Sequence, residues 1–435
     1  MVSLEVLRQV LIDNRSLVAP KTVFARDIAI GEFPRCILVG ARGSGKSHLL
    51  FSRIQGLLAS GRSWDDIVYI DFEDERLIGF GVADFSNLLE VQAEISGIDS
   101  LPALFLDEIQ LIDGWEKFAR RMADANAEIY ITGSDVRMRD LKIEETLGGR
   151  FLTENVFPLS FSEFFRVKGV ENSRSELESV KGKIRIRRAF AEFFEYGGLP
   201  KGVNAVNRLE AVNDAFREIY LADVIVRHTV SNTSALRMLL KQVAESIGQP
   251  LSFTRLTKMV KEAGMPIAKN TCISYLQYAC EACLVLPISN IVGKLQERES
   301  SRKYYFVDNG FIRLLKSDPK ADQLANLVAL HLLRRHGFND RVFFYRREVE
   351  VDFYLPDEET AIQVCVKLGT DPKTLEREVE AFNKIAKELS VTRCLIVTME
   401  EERTIESNGR TIEVVPVWKW LLTDCLLYTS PSPRD

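Results

Sequence analysis

The chain has 435 residues, 46% of them hydrophobic and 27% charged, and a formal net charge of −5. This length exceeds one ordinary hydrophobic core, so we expect two to four domains. The acidic balance excludes a protein that coats nucleic acid through bulk charge, so any such contact needs a local basic patch. Scattered cysteines, no signal-peptide core and no apolar run of membrane-spanning length predict a cytoplasmic protein that has free thiols and makes no membrane contact.

Strands and helices alternate over the first 160 residues. A helix is predicted at 1–15, and further helices separate short apolar strands. The predicted strands lie at 35–40, 67–72, 103–106, 129–132 and 150–158. Such alternation is typical of a parallel α/β sheet, which we assign to an N-terminal domain over 1–160.

The pattern becomes helical after this domain, and residues 161–230 are predicted to form a helical lid. Three compact helices and two strands follow within 231–310, the parts of a winged helix-turn-helix. A smaller α/β domain is predicted over 311–424. The final segment, 425–435 (CLLYTSPSPRD), is interpreted as a tail foreign to the natural protein, or alternatively as a disordered natural tail.

A complete phosphate-binding motif lies between the first predicted strand and the following helix. The sequence GARGSGKS at 40–47 fits G-x-x-x-x-G-K-[ST]. Its glycines let backbone N–H groups surround phosphates at a helix N-terminus. Lys46 should reach the β- and γ-phosphates, and Ser47 should ligate Mg²⁺. The predicted nucleotide-binding residues are Gly40, Ala41, Arg42, Gly43, Ser44, Gly45, Lys46, Ser47, His48 and Ser134.

Two carboxylates follow the third predicted strand in the sequence LFLDEI. Asp107 is expected to hold Mg²⁺ through water, and Glu108 to orient and activate the attacking water. An adjacent Asp-Glu pair can also be a solvated turn. The position after a fully apolar strand, downstream of a complete P-loop, favours the catalytic interpretation.

Two further polar positions are candidates for γ-phosphate contacts. Thr132 or Ser134, where the fourth strand ends, could make such a contact, and a helix N-cap at Ser134 or Asp135 is the alternative. Arg150, in the sequence LGGR, is predicted to sense the γ-phosphate, with a surface ion pair as its alternative.

These motifs together resemble a family of prokaryotic AAA-type (STAND-related) P-loop ATPases. The resemblance rests on ILVGARGSGKS, LFLDEIQ, YITGSD and LGGRF, and further on YGGLP, VDNGF and FFYRREVEVDFYLP. It implies an ATPase core, a winged-helix middle and a C-terminal domain of unknown function with a restriction-endonuclease-like fold.

The nuclease motif implied by this resemblance is eroded. Asp352 stands at the position of a metal-binding Asp, but Gln363 and Cys365 replace the expected acid and lysine. The upstream helix, where the family often has an acid in the context LEN, reads LAN at 324–326. Lys367 lies two residues beyond the expected lysine position. A neutral amide is a poor substitute for a carboxylate at a divalent cation, so we predict an inactive nuclease-like domain.

The leading hypothesis is a Mg²⁺-dependent, ATP-hydrolysing molecular switch. DNA binding through the winged helix, a protein partner and a homo-oligomer all remain open, although the predicted recognition helix at 269–282 is not basic. The rival is an adaptor that binds nucleotide without hydrolysing it and binds DNA or protein. An ATP-gated nuclease is a third alternative, against which the missing acids argue.

Overall fold

The computed structural model describes residues 1–28, 30, 33–98, 100–170, 179–294, 298, 300–338, 341–369 and 372–428. Of the predicted foreign tail, residues 425–428 complete a helix, and 429–435 lie outside the described residues. The chain forms two compact units. One contains Met1–Phe157 with Glu281–Cys283, and the other contains Pro158–Cys280 and the chain from Leu284 onward.

The first unit is built on a five-stranded sheet in the order β2-β3-β4-β1-β5. All four pairings are parallel, which confirms the predicted parallel α/β sheet. The strands are β1 Arg35–Val39, β2 Ile67–Asp71, β3 Ala103–Asp107, β4 Ile129–Gly133 and β5 Leu152–Asn155.

Helices cover both faces of this sheet, which explains the continuous apolar strands. Along β1, Ile37 and Val39 belong to one buried cluster, whereas Cys36 and Leu38 belong to another. This alternation follows from the two-residue period of a strand. The helices are α1 Leu4–Val18, α2 Lys46–Ala59, α3 Asp84–Ser96, α4 Trp115–Asp124 and α5 Leu141–Leu147.

The second unit begins with helices and an eight-residue π-helix at Ile219–Val226. The helices before the π-helix are α6 Phe161–Val167, α7 Val180–Tyr196, α8 Pro200–Val203 and α9 Arg208–Glu218. Those after it are α10 Thr233–Glu245, α11 Phe253–Glu262, α12 Lys269–Glu281, α13 Asn309–Leu315, α14 Lys320–His336, α15 Pro372–Ile385 and α16 Val417–Tyr428.

A nine-stranded mixed sheet joins the rest of this unit in the order β13-β14-β12-β11-β10-β9-β7-β8-β6. Its first strands are β6 Leu251–Ser252, β7 Val285–Asn290, β8 Ser301–Phe306, β9 Phe343–Arg346 and β10 Glu350–Leu355. The others are β11 Thr360–Val364, β12 Arg393–Thr398, β13 Arg403–Ser407 and β14 Arg410–Pro416.

The predicted winged-helix hairpin is continuous with the predicted C-terminal domain. Ser289 and Asn290 of β7 pair in parallel with Phe343 and Phe344 of β9. The free edge of a hairpin offers unpaired N–H and C=O groups, and β9 satisfies them here. Neither a separate winged helix nor a restriction-endonuclease-like fold is confirmed by this mixed sheet.

A buried polar network joins the YGGLP and VDNGF motifs. The Asp308 carboxylate accepts hydrogen bonds from Gly198 N and Gly310 N, each 2.8 Å long. Asn326 accepts from Phe306 N at 2.7 Å and donates to Phe306 O at 3.0 Å. The network therefore fixes the end of α7 against the end of β8.

No helix in the described part of the chain is long and apolar enough to cross a membrane. Six cysteines are free: Cys36, Cys272, Cys280, Cys283, Cys365 and Cys394.

Candidate nucleotide-binding site

The P-loop connects the carboxyl end of β1 to the first residue of α2. Gly45 has a φ of 101°, a left-handed conformation that favours glycine. A Cβ on Gly40 would lie 2.0 Å from the carbonyl oxygen of Val156, so this position has no room for a side chain. These two glycines set the path of the loop into the helix, whose first N–H groups have no intrahelical acceptor.

Lys46 is buried beneath the loop that contains it. Its Nζ donates to the carbonyl oxygens of Gly40 at 3.0 Å and Ala41 at 3.2 Å. The same nitrogen forms an ion pair with Glu108 Oε1 at 3.1 Å. The structure thus brings together the P-loop lysine and the glutamate predicted to activate water.

Asp107 ends β3 and lies in a fully buried polar cluster. Tyr69 donates its hydroxyl to Asp107 Oδ2 at 2.9 Å, and the Thr132 hydroxyl donates to Oδ1. Burial, and then the neighbouring Glu108 charge, raise the pKa of Asp107, while hydrogen bonds that include one from Ser47 oppose the shift. Ser47 and Asp107, the two predicted Mg²⁺ residues, are therefore in contact.

Glu108 adopts a left-handed backbone conformation with φ 53° and ψ 44°, which is strained for a residue other than glycine. Its N–H donates to Thr132 Oγ1 at 2.9 Å, and its Oε2 accepts from Gln110 Nε2 at 2.6 Å. Burial alone would raise the pKa of this carboxyl, but Lys46 and the hydrogen bonds hold it at about 2. Glu108 is therefore a carboxylate, as activation of water requires.

The end of β4 contributes to the same cluster. Gln110 Nε2 also donates to Ser134 Oγ at 3.2 Å, and Ser134 hydrogen-bonds Glu108. Asp135 caps the short helix Val136–Arg139 by accepting from Arg137 N at 2.9 Å. The N-cap alternative thus belongs to Asp135, whereas Ser134 and Thr132 face the two carboxylates.

The other side chains of the predicted nucleotide site differ in their exposure and contacts. Arg42 forms a two-pronged ion pair with Glu73, one contact of which is 2.7 Å. Ser44 Oγ is buried and has no hydrogen-bond partner among the described residues. His48 is exposed on α2, with its ring 5.6 Å from that of Phe51.

Arg150 lies at the amino ends of the parallel strands, whereas the P-loop lies at their carboxyl ends. It precedes β5, and Arg35 Nε, at the start of β1, donates to its carbonyl oxygen at 3.3 Å. Its own Nε contacts Asp124 Oδ1 at 2.6 Å. Because β1 and β5 are parallel, the amino end of β5 is remote from the carboxyl end of β1. This geometry matches the surface ion-pair alternative and does not bring Arg150 to the phosphate site of its own chain.

Sequence reasoning missed several residues that support the loop. Tyr69 was not a candidate, and neither was Gln110. Arg26, from the segment before β1, donates to the carbonyl oxygens of Ser44 at 2.9 Å and Phe157 at 2.8 Å. Arg139 is half-buried and donates to Val39 O at 3.3 Å. The sequence holds no signal for Arg26 or Arg139, whereas the pairing of β2 with β3 could have indicated Tyr69.

The site fits a Mg²⁺–nucleotide complex by the chemistry of its donors. Hydroxyl and carboxylate oxygens, here those of Ser47 and Asp107, are ligands that Mg²⁺ prefers. The α2 N-terminus, the Lys46 ammonium and the orphaned Ser44 hydroxyl suit phosphate oxygens.

The C-terminal acids do not fit a metal. Lys303, which is fully buried, places its ammonium 2.9 Å from Glu350 Oε1 and 3.1 Å from Asp352 Oδ1. Gln363 is held by the backbone of the same hairpin, since it donates to Glu350 O at 2.9 Å. Among the residues that the structure describes, no group of three or more His, Cys, Asp or Glu could hold a metal ion. An ammonium therefore neutralises the carboxylates that a nuclease would use for metal.

Two family models match the chain. The model described as "AAA domain" matches residues 32–165, which covers β1 to β5 and the whole site. The model described as "Domain of unknown function (DUF8612)" matches residues 187–321, from α7 to the start of α14. The predicted AAA-type P-loop domain is thus confirmed. The domain of unknown function matches the middle of the chain and not the predicted nuclease-like end.

A relative extends the likeness to nearly the whole chain. "Uncharacterized protein MJ1544" of Methanocaldococcus jannaschii is 32% identical over 431 residues, which is 95% of each chain. The chain belongs to the MJ1544 family. An "Uncharacterized protein" of Haemophilus influenzae is 28% identical over 395 residues, 89% of this chain and 94% of its own.

Three solved structures are similar to parts of this MJ1544-family chain at low sequence identity. The Walker-type ATPase PABY2304 of Pyrococcus abyssi is 15% identical, with a TM-score of 0.40, over 69% of this chain and 99% of its own. AMPPCP-bound DnaA of Aquifex aeolicus is 12% identical, with a TM-score of 0.28, over 65% and 90%. Cdc6p of Pyrobaculum aerophilum is 14% identical, with a TM-score of 0.25, over 75% and 93%.

Proposed function

We propose that the protein is a Mg²⁺-dependent ATPase that works as a molecular switch in the cytoplasm. The observation that carries the proposal is the convergence of Lys46, Ser47, Asp107 and Glu108 within one buried polar cluster. A site that only holds nucleotide has no need of a buried, ionised glutamate next to the P-loop lysine.

The proposed reaction begins with an exchange of partners at Lys46. The triphosphate draws the ammonium from Glu108 towards the β- and γ-phosphates, while the N–H groups at the start of α2 take the phosphate oxygens. Glu108 then orients and deprotonates the attacking water, and Gln110 and Ser134 hold its carboxylate in place. Mg²⁺, held by Ser47 and Asp107, would supply neutralisation of the phosphate charge.

The second unit provides the partner-binding half of the proposed switch. Its helical start, the predicted winged helix and the C-terminal strands form the larger part of the chain. The contacts of Lys303 argue against the nuclease alternative, because its ammonium forms ion pairs with Glu350 and Asp352. The partner we favour is a nucleic acid.

Single-turnover ATP hydrolysis tests the proposal. Lys46→Ala and Glu108→Gln should each lower the rate by about 100-fold or more. The matched controls are Lys117→Ala and Glu90→Gln, which change exposed residues of the same unit. If neither Lys46→Ala nor Glu108→Gln lowers the rate, the proposal is wrong. Tight ATP binding by the wild type without measurable hydrolysis would instead favour the adaptor.

A further inference from the structure

The second unit contains a cavity of about 630 Å³ that none of the motifs predicts. Ser252 and Arg255, from the start of α11, line one part of it. Arg346 and Arg347, from the end of β9, line another, and Asn290 and Ser301 lie between the two parts. Three arginines and no carboxylate are among the lining residues, so the cavity is basic in a protein whose net charge is −5.

The arginines retain hydrogen-bond donors for a ligand. Arg255 is exposed and forms no ion pair within the described residues. Arg346 uses Nε to contact Glu350 at 3.7 Å, and Arg347 uses one terminal nitrogen to contact Glu388 at 2.7 Å. A guanidinium has five N–H donors, so neither of these contacts exhausts it. Both pairs are solvent-exposed and therefore weak, which leaves the positive charge available.

The cavity wall is held by the sheet. The Asn290 side chain donates to Arg346 O and accepts from Arg346 N, each at 3.1 Å. Beside it Phe344, which is buried, pairs with Asn290 through the backbone of β7 and β9. The backbone of Arg346 is therefore fixed in place, which reduces the entropy that a ligand must overcome when it binds there.

We propose that this cavity binds phosphate groups along a nucleic-acid strand. Arginine forks match phosphate oxygens, and the Ser252 and Ser301 hydroxyls add neutral donors. The cavity extends well beyond the space of one phosphate, and its three arginines come from two separate segments, as contacts to successive phosphates require. It supplies the local basic patch that an acidic protein needs for such a partner. The inference rests on the proposed function only for its biological setting, because binding here needs no ATP hydrolysis.

Binding of fluorescently labelled duplex and single-stranded DNA to the full chain tests the inference by anisotropy. We expect Arg255→Ala/Arg346→Ala/Arg347→Ala to weaken binding by at least tenfold. The slope of log K against log salt should fall by about 0.7–0.9 for each lost phosphate contact. Arg393→Ala is the matched control, since it removes an exposed arginine that pairs with Glu413 across β12 and β14. It should leave binding within about twofold of wild type.

A second variant protects the test against misfolding. Arg255→Glu alters one exposed side chain and should weaken DNA binding more than Arg255→Ala does, while the melting temperature and the basal ATPase rate stay at wild-type values. Unchanged DNA affinity in the triple variant overturns the proposal. Inorganic phosphate and ATP are titrated as competitors. If the triple variant loses affinity for these two ligands and not for DNA, the cavity binds small phosphates and the proposal is likewise overturned. A failed ATPase test with intact cavity-dependent DNA binding would overturn only the proposed function.

Discussion

At the scale of single residues, the ion pair between Lys46 and Glu108 decides how the site responds to nucleotide. Both side chains are buried, and they lie 3.1 Å apart. Removal of one partner from a buried ion pair strongly destabilises the folded protein, because the other charge is left uncompensated. In the proposed reaction the triphosphate therefore replaces the carboxylate as the partner of the ammonium, and Glu108 becomes available for water only after that exchange.

Glu108→Gln should consequently separate binding from hydrolysis. The amide no longer competes for Lys46 and no longer repels the γ-phosphate, so ATP should bind about tenfold more tightly, equivalent to ~1.4 kcal/mol. Hydrolysis should fall at the same time because an amide cannot accept the proton. Titration with a fluorescent ATP analogue measures the first effect, with Glu90→Gln as control. Weaker ATP binding by Glu108→Gln would contradict a competing ion pair.

The hydrogen bond from the Tyr69 hydroxyl to Asp107 can be tested by mutation. Tyr69→Phe removes the hydroxyl that donates to Asp107 but retains the ring, which packs edge-on against Phe51 at 5.3 Å. Outer-shell partners of this kind affect metal affinity by about 10- to 100-fold. We expect the Mg²⁺ concentration for half-maximal ATPase activity to rise by about tenfold while the ATP affinity measured without metal is unchanged. An identical Mg²⁺ dependence would show that the Tyr69 hydroxyl is dispensable.

At the scale of elements, the strands of the first unit were predictable, and several parts of the second unit were not. Apolar runs ending in glycine or carboxylates identify β1 to β4 because both faces of that sheet are buried. The hairpin of β13 and β14 alternates less clearly in hydrophobicity, and β6 has two residues, so both escaped prediction. The pairing of β7 with β9 joins segments about 50 residues apart, and no local pattern fixes such a register.

Asp308 makes the junction between α7 and β8 sensitive to pH. Burial raises the pKa of its carboxyl to about 6, although backbone N–H groups of Gly198, Gly310 and Leu199 oppose the shift. An unfolded Asp titrates near about 3.9, so the folded state binds more protons between about pH 4 and 6. The contribution of this carboxyl to stability is therefore greatest below about pH 4 and is lost as the pH rises through 6, by about 3 kcal/mol.

Asp308→Asn should remove this pH dependence. The variant has no titrating carboxyl, so its loss of stability between pH 4 and 6.5 should be smaller than that of wild type. At pH 4 it should be less stable by about 1–3 kcal/mol, because one backbone N–H group loses its acceptor, and this difference should shrink as the pH rises towards 6.5. Thermal unfolding of both proteins across this pH range measures the difference, and parallel curves would assign the pH response to other groups.

At the scale of the whole molecule, long-range proximity is what the sequence conceals. The P-loop and the Asp-Glu pair each follow the carboxyl end of a predicted parallel strand. Their proximity could therefore be predicted from the sequence. The distance of Arg150 from the P-loop arises because Arg150 lies at the amino end of β5. The cavity brings Arg255 close to Arg346 and Arg347, which are about 90 residues further along the chain. Lys303 likewise reaches Asp352 from another strand, and no motif connects the two.

The Lys303 contacts predict that the chain does not cleave DNA. The Lys303 ammonium forms ion pairs with Glu350 and Asp352. Plasmid DNA incubated with the wild type and Mg²⁺ or Mn²⁺ should therefore remain intact, with or without ATP. Lys303→Ala should lower stability by about 3–5 kcal/mol, because two carboxylates lose the charge between them. Metal-dependent cleavage that survives Lys46→Ala and disappears in Asp352→Ala would show that the carboxylates bind metal despite Lys303.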